Sequence, residues 1–196
     1  MRNHSELKQG LVGQLSLASL LAVLAVSAVP AYAGPKSGRP PVAKSEATTP
    51  AAKPAEALFG RLKTLAGTWT WQQEGKTTNA LQTRVSAAGS AVIETMFPGE
   101  PHEMTNIYTL DGDKVVVTHY CASGNQPRMQ ASGESKPGVA AFVLRDALAV
   151  DAATGDYMGG LTVTLPDADH LVQEWQHFEA GKPAGAAKRF ELTRAK

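Results

Sequence analysis

Two histidines, two methionines and the only cysteine of the chain fall between Pro98 and Met129 (PGEPHEMTNIYTLDGDKVVVTHYCASGNQPRM). Side chains of these types can hold a soft metal, move protons or act as a nucleophile. Imidazole, thiol and thioether together suit copper(I) or zinc. Yet His102 and His119 fall on diagonal positions with no carboxylate to orient them, so neither a metal ligand set nor a cofactor is expected. Cys121 cannot form an internal disulfide and is read as a free thiol, packed as a small hydrophobe. The chain contains no His-x-x-x-His, Cys-x-x-Cys, Gly-x-Ser-x-Gly or phosphate-loop pattern, so hydrolytic chemistry has no motif to rest on. Glu94 and His119 would form an acid/base pair only if both pointed inward.

The element that must position these residues is a β-hairpin. Asp-Gly tolerates the positive φ angles of a two-residue loop, so Asp111-Gly112 is read as the turn. Leu110 then faces Asp113, Tyr108 faces Val115, Asn106 faces Val117, Met104 faces His119 and His102 faces Cys121. Opposed residues share a face of an antiparallel pair. One face carries His102, Met104, Asn106, Tyr108, Val115, Val117, His119 and Cys121. The other carries both charges and three threonines and is assigned to solvent.

Around this hairpin, Pro54 to Leu65 has the apolar spacing of a short helix. Short alternating segments follow, divided by Gly, Pro, Asp or Asn: Thr68–Glu74, Ala80–Ala87, Ala91–Phe97, Glu103–Leu110, Lys114–Cys121, Arg128–Ser132, Val139–Arg145, Gly160–Leu165, Leu171–Phe178 and Arg189–Arg194. Ten strands with short links indicate an all-β, up-and-down antiparallel barrel, because closure removes exposed edges. Counting strand direction puts His102, His119 and Cys121 at the mouth opposite the start of the first strand, together with His177. Trp175 shares the face of His177. A ligand site there would use His102, Met104, Asn106, His119, Cys121, Trp175 and His177, with Asn125 and Arg128 as further donors.

The termini bound the function. Arg2 and Lys8, an apolar run from Leu15 to Val29 and Ala31-Tyr32-Ala33 have the order of a cleaved export signal, residues 1–33. The run is too short for a stable membrane anchor. Residues 34–57 form a Pro/Ala/Lys tether with little to bury. The remaining span, 58–196, is a single domain with 13 basic and 15 acidic residues and no basic run, which argues against nucleic acid as a partner. The chain is therefore expected to be periplasmic or secreted.

Leu65-Ala66-Gly67-Thr68-Trp69 resembles the calycin signature of lipocalins and fatty-acid-binding proteins. That resemblance implies a structural role for Gly67 and Trp69, with Arg194 of the last strand packed over the tryptophan. The Pro98–Met129 block is similar to bacterial exported lipocalin-like barrels of uncharacterised function, in which Pro-Gly-x-x-His-Glu-Met, Leu-Asp-Gly-Asp, His-Tyr-Cys and Asn-Gln-Pro-Arg-Met recur together. The chain departs from them at Asp156-Tyr157-Met158-Gly159, where a His-Met-His-like segment is expected; a ligand from that segment would here fall to Asp156 or Tyr157. Ten strands also resemble nitrobindin-like haem barrels, with His177 or His119 as the candidate iron ligand. The resulting expectation is a barrel that binds a small hydrophobic or amphipathic molecule, favoured over an enzyme. The alternatives are an enzyme using His119 as acid/base on a bound hydrophobic substrate, a haem- or metal-binding barrel, and a structural barrel without ligand.

Overall fold

Alternation of apolar and polar residues, cut by tight turns, is carried through in a computed structural model that describes residues 53–136 and 138–196. The export signal and all but the last five residues of the tether lie outside the described residues. Ten long antiparallel strands follow one another around a closed ring: β1 (Gly67–Gln73), β2 (Lys76–Ser86), β3 (Ala91–Met96), β4 (Met104–Asp111), β5 (Lys114–Tyr120), β6 (Gln126–Lys136), β7 (Val139–Leu148), β8 (Asp156–Thr164), β9 (His170–Glu179) and, after the two-residue β10 (Lys182–Pro183), β11 (Lys188–Arg194). β11 pairs with both β9 and β1, which closes the ring, while β10 only extends the β9 hairpin. The all-β, up-and-down barrel expected from the strand pattern is therefore present.

Turn chemistry moves several boundaries. The β4–β5 loop is Gly112-Asp113, not Asp111-Gly112, and Asp111 pairs with Lys114. Gly112 takes φ 60° while Asp113 does not enter the positive region, the pattern of a type II′ turn with glycine first. The pairing shifts by two residues, so Asn106 faces His119 and Tyr108 faces Val117. An even shift preserves the faces, so the inner and outer sets stand within the strands, while His102 and Cys121 fall outside β4 and β5. One outer residue, Val116, is nonetheless buried. Glu74-Gly75, with φ of 50° and 77°, makes a two-residue turn that starts β2 at Lys76 rather than Ala80. β8 begins at Asp156 rather than Gly160, because Gly159 is absorbed as a bulge where the pairing with β9 shifts. A side chain at Gly159 would strike the Phe178 and Tyr157 rings.

The floor is closed by helix α1 (Pro54–Lys63). Proline in its first turn, Glu56 near its start, and Arg61 and Lys63 at its end suit the helix dipole. The helix takes up the last four residues of the span read as tether, and it buries Ala55, Leu58, Phe59 and Leu62 against the barrel. No helix among the described residues is long and apolar enough to cross a membrane.

Beside it, Trp69 is fully buried and its Nε1 donates to the Leu65 carbonyl at 2.8 Å. The Arg194 guanidinium lies 4.2 Å from the Trp69 ring centroid and donates to the Thr64, Ala66 and Ala168 carbonyls, each at 2.9 Å. Gly67 has φ 133°, and a Cβ there would meet Arg194 Nη1 at 3.0 Å. Glycine is thus required both by the backbone and by the close approach of the guanidinium.

Candidate functional site

The inward positions of β3, β4, β5 and β9 carry polar side chains in an otherwise apolar barrel. Val92-x-Glu94-x-Met96 and Leu171-x-Gln173-x-Trp175 keep strict alternation, which turns Glu94 and Gln173 toward the axis. Glu94, Asn106 and Gln173 are 0% exposed and His119 is 1% exposed. Together they form one hydrogen-bonded chain. Trp175 Nε1 donates to Gln173 Oε1 at 3.1 Å, and Gln173 Nε2 donates to Glu94 Oε2 at 2.9 Å. Asn106 Nδ2 donates to Glu94 Oε1 at 2.6 Å, and His119 Nδ1 lies 2.7 Å from Asn106 Oδ1.

The donor inventory fixes the direction of this chain. Indole N–H can only donate, so Gln173 Oε1 accepts and its amide must donate to Glu94. With Glu94 ionised, Asn106 also donates to it, and the Asn106 oxygen then requires a proton on His119 Nδ1. His119 Nε2 is left as a bare acceptor, buried and without a partner. Burial lowers the His119 pKa to about 4, so the ring is neutral at neutral pH. Burial also raises the Glu94 pKa, opposed by the hydrogen bonds from Asn106 and Gln173 and by the nearby Tyr108 hydroxyl. That hydroxyl is buried close to Glu94 but outside ordinary hydrogen-bond geometry; burial first, then the charge of Glu94, raise its pKa well above the usual value.

His119 also lines a cavity of about 60 Å³ at the mouth end. Met96, Met104 and Met158 line it with the His119 ring, Trp175 closes one side, and Phe97 and Phe190 with the exposed Lys188 stand at its outer end. Met96 and Met104 are direct cross-strand partners. The Trp175 ring lies 4.8 Å from that of His119. Phe97 packs on Phe190 at 5.7 Å and on His102 at 4.8 Å, and Phe190 packs on Trp71 at 5.2 Å. Phe97 holds φ 52°, a backbone conformation that costs a bulky L-residue roughly 1–2 kcal/mol.

Of the residues singled out from sequence, Met104, Asn106, His119 and Trp175 meet in this interior site. His102 is exposed in the loop before β4, where its ring packs on Phe97, and the β4–β5 pairing ends before it could face Cys121. Cys121 is half-buried beyond the end of β5, where Ser123 Oγ donates to its sulfur at 3.0 Å. Asn125 is buried but ties the β5–β6 loop to the Asp156 carbonyl at 2.9 Å rather than lining the cavity. Arg128 lies on the outer face in a two-pronged pair with Asp146, because Met129 takes the adjacent inward position.

His177 is half-buried at the rim, paired across strands with Met158. Asp156, His177 and Glu179 present ligand atoms that all lie within 4.8 Å of one another. In the segment that departs from the resembling barrels, the residue reaching the cavity is Met158; Tyr157 instead stacks on Phe178 at 5.7 Å.

Met96, Met158 and Gln173 are interior residues that the sequence reading does not place at the site, and Glu94 enters it only as a conditional partner of His119. For Glu94 and Gln173 the signal is inward parity, a polar residue two positions from apolar neighbours on either side. Glu94 and His119 both point inward, but Asn106 stands between them, so they do not form a direct acid/base pair. No family model matches the chain, and no curated protein is similar to it. Fold and site together define a closed ten-stranded antiparallel barrel of calycin-like form with a polar relay ending at a small cavity.

Proposed function

We propose that the chain is an exported, periplasmic or secreted, lipocalin-like barrel that binds a small ligand through its mouth, with His119 Nε2 as the polar anchor. The observation that carries this reading is a buried acceptor without a partner beside an apolar cavity. Native interiors rarely leave such a group unsatisfied, and the exceptions call for an explanation. Support also comes from the strained Phe97 backbone at the cavity's outer end, since strain of this kind collects at ligand clamps.

Size restricts the ligand. About 60 Å³ is the share of roughly two waters in the liquid, far below the 300–1,000 Å³ of an ordinary small-molecule pocket. A haem macrocycle has no room beside His119. A larger amphipathic molecule enters only by displacing Phe97 and Phe190. An acid/base enzyme is the weaker reading, because a histidine with a pKa of about 4 is a poor base at neutral pH and the other polar side chain lining the cavity, Lys188, is exposed at its outer end.

The test is a titration with indole and with 1-octanol, each of which brings a donor to Nε2, followed by the methionine methyl signals of Met96, Met104 and Met158 and the ring signals of His119. Saturable shifts confined to those residues are expected. Shifts confined to outer-face residues, or none at millimolar probe, would refute interior binding.

A further inference from the structure

Three methionine side chains and the His119 imidazole around so small a space are an unusual lining for a pocket that takes organic molecules. Thioether sulfur is a poor partner for hard cations and a good one for soft monovalent ions. An imidazole ligand must be deprotonated, and its second nitrogen is ordinarily held by a hydrogen bond that orients the ring. His119 meets both conditions: its Nδ1 is held by Asn106, which is held by Glu94, and its Nε2 is the unpartnered atom. The three methionines come from separate strands, Met96 from β3, Met104 from β4 and Met158 from β8. Met96 and Met104 face each other directly, with His119 diagonal to Met104 through the Asn106 pairing.

We propose that the cavity is a site for a soft monovalent metal ion, copper(I) in kind, coordinated by His119 Nε2 and the thioethers of Met96, Met104 and Met158. This deepens the reading of His119 as the ligand anchor and rests on it. Trp175 walls the site and shields the ion from water. The Asp156–His177–Glu179 group at the rim, with two carboxylates, differs in kind and would favour a harder divalent ion. Lys188 is the nearby opposing charge, at the exposed outer end of the cavity.

Silver(I) is the probe, because it has the same preference for soft ligands and does not cycle its oxidation state. The full chain carries Cys121→Ser so that the thiol cannot compete. One silver ion per chain is expected by native mass spectrometry, with shifts of the three methionine methyls and of His119 Nε2. Met96→Leu with Met104→Leu, which conserves volume, weakens silver binding at least tenfold while the fold persists. Silver held equally by the double variant, or zinc(II) bound in preference with His177 rather than His119 perturbed, would overturn the proposal. Binding of indole or 1-octanol with no silver uptake would overturn the metal assignment and leave the small-ligand reading standing. Failure of all three probes would remove both.

Discussion

The two ends of the barrel are built from the same strands and treat polar groups in opposite ways. At the floor the Trp69 N–H reaches the Leu65 carbonyl, and the Arg194 guanidinium meets three carbonyls and an aromatic face. At the mouth, His119 Nε2 is buried without a partner beside a cavity. A stability device satisfies its own polar atoms, whereas a binding site leaves some to be satisfied by what it binds. The floor therefore holds the barrel shut, and the mouth keeps unused hydrogen-bonding capacity.

Breaking the floor should have the largest effect. Trp69→Ala removes a fully buried indole and is expected to cost about 3–5 kcal/mol, read as a lowered urea midpoint. If the loss were below about 1 kcal/mol, the floor would not be the structural end.

Acid should act next, and at the mouth. The His119 pKa is lowered to about 4 from 6.5, so the unfolded chain binds the extra proton first as pH falls. The contribution of neutral His119 is present above 6.5 and lost between 6.5 and 4, up to about 3 kcal/mol. Glu94 acts with the opposite sign: its raised pKa favours the folded state at low pH, and that advantage is lost as pH rises through the folded value. Urea unfolding of Glu94→Gln across pH 4 to 7 isolates the histidine. A flat profile in that variant would place His119 outside the buried network.

The same substitution probes the direction of the relay. The new side-chain amide at position 94 must accept from Gln173 and donate to Asn106, whose own amide then turns and donates to His119 Nδ1. The proton moves to Nε2, stability changes by about 1 kcal/mol, and any ligand that needs a bare Nε2 is lost. Ring nitrogen spectra of the variant check this.

Smallest of all, Arg128→Ala breaks a half-exposed, solvent-screened pair with Asp146 and is expected to leave the urea midpoint nearly unchanged. It should leave His119 ring signals unmoved. A shift there would return Arg128 to the site.

These contrasts also mark what is legible in the sequence. Period-two alternation carries the barrel, and faces survive an error of two in register at the Asp111–Lys114 turn, so Asn106 and His119 turn inward in the sequence reading and in the structure alike. Loop residues have no such periodicity: His102 and Asn125 reach the site only when strand logic is extended past strand ends. Arg128 reads as a donor on residue type alone, although Met129 beside it already claims the inward position. The relay itself joins β3, β4, β5 and β9, and a contact such as Gln173 to Glu94 depends on how the ring closes, which no local pattern encodes.

The decisive measurement is the ring nitrogen spectrum of His119 at pH 7. We expect a neutral imidazole protonated at Nδ1, with Nε2 bare and available to a ligand. A proton on Nε2, or a charged ring, would contradict the assignment of this histidine as the anchor of the mouth.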